Sequence, residues 1–163
     1  MSNKEAITRG TPWNTRIRSE TLLVGDRFQV EPGATSGATI LVVDDDEFVR
    51  ELLYIHLSSA GYVVFVAEDA IVAGHFLLSR HVDLLVADIE MPFMDGLDFV
   101  QAIRSDPSVS SLPVIFVSSQ WEYEGRAREL GALAFLRKPV LADQLLATVA
   151  KHIRAEKPAE VKG

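Results

Sequence analysis

Four consecutive acidic residues at positions 44–47 follow directly on the apolar run Thr39–Val43. Grouped carboxylates repel one another, and they stay ionised only in water or around a bound cation. The motif therefore favours a divalent-metal or phosphoryl-transfer site. The acidic first turn of a helix explains the same residues equally well, because the helix dipole stabilises carboxylates there. The four acids alone leave both interpretations open.

Three further polar residues follow apolar runs later in the chain: Asp88, Ser118 and Lys138. Carboxylate oxygens suit Mg²⁺, which keeps several waters and takes only a few carboxylates. Lys138 offers an ammonium group to an anionic oxygen, and Ser118 offers a hydroxyl donor. Together with Asp44 and Asp45, these groups are typical of a phosphoryl-transfer site, in which a carboxylate can act as the nucleophile.

The elements that must position these residues follow from the alternation of apolar runs with helical patterns. Strands are predicted at residues 39–43, 62–66, 84–87, 114–117 and 133–136. Helices are predicted at about 47–60, 69–80, 95–105, 122–130 and 141–153. This repeat indicates an open parallel α/β sheet with helices on both faces. Ligands of such sheets bind beyond the carboxyl ends of the strands, where these polar residues fall.

The first predicted helix has two features that bear on the site. Asp46 and Glu47 are predicted to be first-turn carboxylates rather than metal ligands. One face of the helix is predicted to pack on the core, and its residues are Val49, Leu52, Leu53, Leu57 and Ala60.

Composition limits the class of protein. The chain has 163 residues, of which 48% are hydrophobic, and this suits one globular domain with a proper core. A net charge of −7 argues against direct binding to nucleic acid. The absence of cysteine excludes disulfides, thiolate metal sites and cysteine nucleophiles. No stretch approaches the ~18 apolar residues of a membrane span, so we expect a cytoplasmic protein without membrane contact.

Residues 1–37 differ in composition from the rest of the chain. They contain Trp13 and two short apolar patches at 22–24 and 28–30, and they end in a linker composition at 32–37. With five basic and four acidic side chains they carry +1, which leaves −8 on the remaining residues. We expect an N-terminal extension and linker at 1–37, a domain at 38–155 and a polar tail at 156–163.

Residues 38–155 resemble a receiver domain of the bacterial response-regulator family. The resemblance rests on four segments: 42–46, 87–96, 113–119 and 135–139. It implies a flavodoxin-like, doubly wound sheet of five parallel strands in the order 2-1-3-4-5, with helices on both faces. It also implies a cis peptide between Lys138 and Pro139.

The resemblance also implies a metal site and a phosphoacceptor. Asp88 would be the phosphoacceptor. Asp45 and Asp88 would bind Mg²⁺ directly, and Asp44 would bind it through water. The backbone carbonyl of Glu90 would be a further ligand.

A response to phosphorylation is implied as well. Ser118 would hold a phosphoryl oxygen, Lys138 would pair with the phosphoryl group, and Phe135 would be the switch aromatic. The surface formed by the fourth helix, the fifth strand and the fifth helix would then change. Ser118 and Lys138 are twenty residues apart, about two fewer than the family pattern, so the fourth helix or its loops should be short.

The implied function is that of a phosphoacceptor receiver module in a two-component phosphorelay, to which a histidine kinase or phosphotransfer protein donates the phosphoryl group. No enzymatic activity is expected beyond self-phosphotransfer and self-dephosphorylation, and no organic cofactor. Expected partners are the donor, a downstream protein and a second copy bound through the fourth helix, fifth strand and fifth helix. The chain is expected to be either a stand-alone regulator or a receiver cut from a longer protein.

Three alternatives remain at this point. A phosphohydrolase of the haloacid dehalogenase type shares an Asp-x-Asp after a strand, but Phe48 stands where that motif has Thr or Val. A flavin carrier of the flavodoxin type would need hydroxyls and backbone N–H groups after the first strand, where this chain has carboxylates. A receiver that has lost phosphorylation would not need the intact set of acceptor residues.

Overall fold

The computed structural model describes residues 37–153, which form a parallel five-stranded sheet with helices on both faces. The strands are β1 (Thr39–Val43), β2 (Val63–Ala67), β3 (Leu84–Asp88), β4 (Val114–Ser118) and β5 (Ala134–Arg137). The helices are α1 (Glu47–Ser59), α2 (Ala70–Ser79), α3 (Gly96–Arg104), α4 (Glu124–Glu129) and α5 (Ala142–His152). The strand order is β2-β1-β3-β4-β5, so the predicted fold is confirmed.

The central strands are buried on both faces, which explains their unbroken apolar sequences. Leu41 and Val43 of β1 belong to the core beneath α2, α3 and α4. Ile40 and Val42 of the same strand belong to the core beneath α1 and α5. Because successive side chains of a strand point to opposite faces, one apolar run serves both cores.

Aspartate side chains begin three of the helices by accepting hydrogen bonds from backbone N–H groups in the first turn. Asp46 accepts from Phe48 N at 2.9 Å, and Asp69 accepts from Val72 N at 2.8 Å. Asp95 caps α3 in the same way. Asp46 was predicted to lie in the first turn of α1, but it is the N-cap residue just before that turn, and Glu47 lies in the first turn as predicted.

The face that α1 buries differs from the prediction. Leu53 and Leu57 pack in the core, but Leu52 is 46% exposed and Ala60 is also exposed. Consecutive helical residues are about 100° apart around the axis, so Leu52 cannot share the centre of the face defined by Leu53 and Leu57. The assignment of Leu52 to the core face was wrong.

The remaining predictions about elements have mixed outcomes. A 3₁₀ turn at Trp121–Tyr123 leads into α4, which has six residues, so the expected short fourth helix is confirmed. The Lys138–Pro139 peptide is cis, as expected. The N-terminal extension, apart from residue 37, and the C-terminal tail lie outside the described residues. Within 37–153, no helix is long and apolar enough to span a bilayer.

Candidate functional site

Strand register brings the acidic residues together at the carboxyl edge of the sheet. Val43 of β1 pairs with Ala87 of β3, so Asp44 and Asp88 follow at neighbouring strand ends. Both carboxylates are buried, with 1% and 2% exposure, whereas Asp45 is exposed. One carboxylate oxygen from each of the three lies within 4.8 Å of the others. The predicted acidic cluster thus exists as a compact group.

Lys138 extends from the end of β5 to the two buried carboxylates. Its Nζ lies 2.8 Å from Asp44 Oδ2 and 3.1 Å from Asp88 Oδ1. Burial alone would lower the pKa of Lys138, but the hydrogen bonds and charges of the two aspartates outweigh burial and raise it. Lys138 is therefore held as a cation between Asp44 and Asp88.

The buried oxygens of this cluster have few partners. Among the described residues, no backbone N–H or hydroxyl group donates to Asp44 Oδ2 or to either carboxylate oxygen of Asp88, so these oxygens depend on the Lys138 ammonium group. An uncompensated buried carboxylate is costly, and a hard divalent cation compensates several oxygens at once. The donor set of Asp44, Asp45 and Asp88 consists of oxygens only, and it therefore fits Mg²⁺.

Burial changes the protonation of both inner carboxylates. Burial, and then the negative charge of Asp44, raise the pKa of Asp88 to about 7, although Lys138 opposes the shift. Burial also raises the pKa of Asp44, against the hydrogen bonds that Lys138 and the Asp46 N–H group donate to it. A carboxyl group that titrates near neutrality in a polar cluster is typical of functional sites.

Ser118 ends β4 and lies next to the acidic cluster in the sheet. Its backbone carbonyl accepts a hydrogen bond from Lys138 N at 2.9 Å, which joins the two strand ends that carry these residues. The buried Ser118 Oγ donates to Gln120 O at 3.2 Å and accepts from Gln120 N at 3.0 Å. The hydroxyl is thus engaged within its own loop.

Glu90 makes a contact that the sequence did not indicate. Its Oε1 accepts from Ser119 Oγ at 2.8 Å, and its Oε2 accepts from Ser119 N at 3.4 Å. Burial would raise the pKa of Glu90, but hydrogen bonds from Ser119 and the charge of Lys138 lower it. The Glu90 side chain thus joins the loop after β3 to the loop after β4.

Gly96 is a further residue whose role the sequence did not predict. A Cβ atom at this position would overlap the backbone carbonyl oxygen of Asp88, and Gly96 N donates to Ile89 O at 2.9 Å. Only glycine permits this close approach of α3 to the end of β3. The only indication of this contact in the sequence was the Asp95-Gly96 pair.

Phe135, the predicted switch aromatic, lies in β5. It is half-buried and packs against the core beneath α2, α3 and α4.

Comparison with protein families gives one direct assignment. The model of the response regulator receiver domain matches residues 40–150. The chain belongs to the response regulator receiver family. Receiver domains are signalling modules of two-component systems, and the acidic cluster of Asp44, Asp45 and Asp88 fits a phosphoacceptor role.

Curated relatives agree with this assignment. Response regulator MprA of Mycobacterium avium is 37% identical over 123 residues, which cover 74% of this chain and 53% of the relative. A protein-glutamate methylesterase/protein-glutamine glutaminase of Bordetella parapertussis is 36% identical over 139 residues, covering 74% of this chain and 39% of that protein. The chain therefore spans about half the length, or less, of these relatives.

Solved receiver structures share the fold. Chemotaxis protein CheY4 of Vibrio cholerae is similar with a TM-score of 0.68 at 28% identity, over 72% of this chain and 100% of that one. Response regulator TrrA of Thermotoga maritima gives a TM-score of 0.65 at 31% identity, over 71% of this chain and 99% of that one. The TrrA structure is a complex with Mg²⁺ and BeF.

Proposed function

We propose that this receiver domain accepts a phosphoryl group on Asp88 from the phosphohistidine of a histidine kinase or phosphotransfer protein, in an Mg²⁺-dependent reaction. The observation that carries the proposal is the state of the Asp88 carboxylate. It is 2% exposed, no backbone N–H or hydroxyl group among the described residues donates to its oxygens, and the only cation within ion-pair distance among those residues is Lys138, at 3.1 Å.

The proposed transfer is a direct displacement at phosphorus. One carboxylate oxygen of Asp88 forms a bond to phosphorus, and the bond between phosphorus and the donor's imidazole nitrogen breaks. The imidazole leaves with the bonding electron pair and takes a proton from solvent. Lys138 sits where it can neutralise the phosphoryl oxygens, and it also favours the ionised form of Asp88 that the attack requires.

Three carboxylates would hold Mg²⁺: Asp45 and Asp88 directly and Asp44 through water, with the backbone carbonyl of Glu90 as a further ligand. When bound, Mg²⁺ would supply positive charge that stabilises the charge on the transferring phosphoryl group. The protein's own contribution is to keep the oxygens of Asp44, Asp45 and Asp88 close together and to bury those of Asp44 and Asp88.

Phosphorylation would change the charge of the site and thereby its neighbours. Three carboxylates and one Mg²⁺ sum to about −1, and an acyl phosphate on Asp88 adds negative charge. Ser118 would leave its bonds to Gln120 and donate to a phosphoryl oxygen. Phe135, half-buried in β5, would then rotate inward, and the surface of α4, β5 and α5 would change.

The wider assignments belong to the same proposal. We infer a cytoplasmic signalling module without membrane or direct nucleic-acid contact, which turns over no substrate beyond its own phosphoryl group. Its partners would be the phosphoryl donor, a downstream protein and a second copy bound through α4, β5 and α5. Residues 1–37 would be an extension and linker, 38–155 the receiver and 156–163 a tail.

A phosphorylation assay with intact-mass detection tests the proposal. Incubation with acetyl phosphate and Mg²⁺ should add one phosphoryl group, about 80 Da, and EDTA should prevent the addition. Asp88→Asn should abolish the addition, because an amide oxygen is a poor nucleophile for phosphorus. Asp143→Asn, an exposed carboxylate in the first turn of α5, is the matched control and should be labelled normally.

The same assay identifies the main competing function. Labelling that persists in Asp88→Asn would contradict the assignment of the acceptor. Turnover of p-nitrophenyl phosphate that Asp44→Asn abolishes would instead support a phosphohydrolase, because there the first aspartate after β1 would be the nucleophile.

A further inference from the structure

Arg50 in α1 contacts the backbone beside the acidic cluster. Its Nη1 donates a hydrogen bond to the carbonyl oxygen of Asp44 at 2.8 Å, and this contact is part-buried. Side chains of an α-helix lean toward its N-terminus, so Arg50 reaches back over the first turn to the end of β1. One side chain thus joins the body of α1 to the first residue of the cluster.

The carbonyl that accepts this bond belongs to the peptide group between Asp44 and Asp45. A peptide group is planar, so its carbonyl oxygen, its N–H group and the two flanking Cα atoms lie in one plane. Arg50 therefore restrains the plane that joins the two aspartates. A restrained plane limits the directions in which the Asp45 side chain can point relative to that of Asp44.

The two aspartates differ in how much else holds them. Asp44 N donates to Ala67 O at 3.2 Å, and Asp44 Oδ1 accepts from Asp46 N at 2.9 Å. Lys138 Nζ lies 2.8 Å from Asp44 Oδ2. Asp45 is exposed, and none of the hydrogen bonds or salt bridges found among the described residues ends on its carboxylate. The direction of the Asp45 side chain therefore depends on its backbone.

Neither the helix nor a salt bridge explains the charge of Arg50. It is the fourth residue of α1, and a cation near the start of a helix gains nothing from the helix dipole. Arg50 takes part in none of the salt bridges found within residues 37–153. Its charge would also repel a divalent cation at the neighbouring carboxylates. The bond to the Asp44 carbonyl, by contrast, uses both the length of the side chain and its donor.

We propose that Arg50 is a positioning residue of the acidic cluster, which directs the Asp45 carboxylate toward a bound Mg²⁺ by holding the Asp44 carbonyl. The proposal rests on the phosphoryl-transfer function given above, because that function requires the metal. Residues that orient a metal ligand without touching the metal typically change metal affinity by roughly 10–100-fold.

Calorimetric titration of the full chain with Mg²⁺ tests the proposal through the direction of the change. Arg50→Met keeps a long, helix-forming side chain but removes the donor and the charge. If Arg50 positions Asp45, the substitution should weaken Mg²⁺ binding at least ~10-fold. Charge alone predicts the opposite, because loss of a nearby cation should strengthen the binding of another cation. Unchanged or tighter binding would overturn the proposal.

Arg104→Met is the matched control. Arg104 also donates to backbone carbonyls, three in all, but these lie before β4 and β5, at the opposite edge of the sheet from the acidic cluster. The control removes the same charge and lowers stability, yet it should leave the affinity for Mg²⁺ unchanged. An equal loss of affinity in Arg104→Met would attribute the effect of Arg50→Met to general destabilisation and would overturn the proposal.

Arg50→Lys supplies a conservative variant. One ammonium group can serve a single carbonyl, so this variant should bind Mg²⁺ more tightly than Arg50→Met does. Equal affinities of the two variants would contradict a role for the hydrogen bond.

A measurement without metal separates this proposal from the function on which it rests. In EDTA, ¹⁵N relaxation of the native chain should give the Asp45 amide an order parameter of about 0.85, and Arg50→Met should lower it toward ~0.6. The amide of Ala87 in β3 should stay rigid in both proteins. An unchanged Asp45 amide in Arg50→Met would overturn the proposal.

The two failures give different results. A native chain that binds no Mg²⁺ would contradict the proposed function, and this proposal with it. A native chain that binds Mg²⁺ and is labelled on Asp88, beside an Arg50→Met variant with native affinity, would overturn the role of Arg50 alone.

Discussion

At the scale of single residues, Asp44 and Asp88 explain why this site favours binding of a cation. Both carboxylates are almost fully buried, and Lys138 is shared between them. One ammonium group cannot compensate two carboxylates and the exposed Asp45 beside them. Mg²⁺ binding would supply the missing charge, and two predictions about single residues follow.

The first prediction concerns metal affinity. Asp45→Ala should weaken Mg²⁺ binding at least ~10-fold, the loss seen even for groups that only orient a metal ligand. Asp46→Ala should change the affinity by less than ~2-fold and should instead cost about 1 kcal/mol of stability, because Asp46 caps α1. Calorimetric metal titration measures both values. Equal losses of affinity would contradict the ligand assignment.

The second prediction concerns pH. Because burial raises the pKa of Asp88 from 3.8 to about 7, the folded state without metal binds this proton more tightly than the unfolded state. The charge on Asp88 therefore costs stability as pH rises from about 4 to about 7, and the full cost is present above 7. Asp88→Asn removes the charge, so in EDTA it should stabilise the protein by ~2–4 kcal/mol at pH 8 and by little at pH 4.

Urea unfolding at the two pH values measures this difference. Asp143→Asn should show no such pH dependence, because that residue is exposed. Adding Mg²⁺ at pH 8 should raise the stability of the unsubstituted protein, since a ligand of the folded state stabilises it. A destabilised Asp88→Asn protein at pH 8 would contradict the account of this carboxylate.

Some residues of the candidate site could be predicted from the sequence, and others could not. Asp44, Asp88 and Lys138 could be predicted, because each follows an apolar run and the strand ends of a parallel sheet share one edge. The contact of Glu90 with Ser119 could not, because it depends on the paths of two loops. The close approach of Gly96 to Asp88 depends on the packing of α3, which no local pattern specifies.

Secondary-structure elements were predictable wherever tertiary packing follows local periodicity. β1, β3 and β4 have unbroken apolar runs because both of their faces are covered. The face of α1 was misjudged at Leu52, because the helix has apolar residues on two sides and periodicity alone does not say which side is buried.

A prediction at this scale concerns Arg104, at the end of α3. Its Nη1 donates to Ser110 O at 3.0 Å and to Leu112 O at 2.6 Å, and its Nε donates to Leu130 O at 3.0 Å. Arg104 thus ties α3 to the loop before β4 and to the end of α4. Arg104→Met should cost ~2–4 kcal/mol, because three part-buried carbonyls lose their donor.

The controls for Arg104 separate its geometry from its charge. Arg104→Lys should recover little stability, since one ammonium cannot serve three carbonyls in this arrangement. Arg126→Met should change stability by less than ~0.5 kcal/mol, because Arg126 is exposed and its guanidinium donates to an exposed side chain, that of Gln101. Chemical unfolding measures the free energy of unfolding of all three variants. Full recovery of stability in Arg104→Lys would contradict the proposed role of the guanidinium.

At the scale of the whole molecule, the matched region is only part of what its relatives contain. It covers 53% of MprA, and the family model ends at residue 150. The sequence could therefore predict the receiver fold and its acidic pocket, because both depend on interactions within the domain. The kinase and the output cannot be predicted in this way, because they depend on surfaces of other proteins.

The most direct test of the account asks which residue carries the phosphoryl group. The full chain is treated with acetyl phosphate and Mg²⁺ and then with borohydride, which reduces an aspartyl phosphate to homoserine. Peptide mapping should find homoserine at position 88 and at no other aspartate. Homoserine at Asp44 or Asp45, or none at all despite added phosphate, would contradict the account.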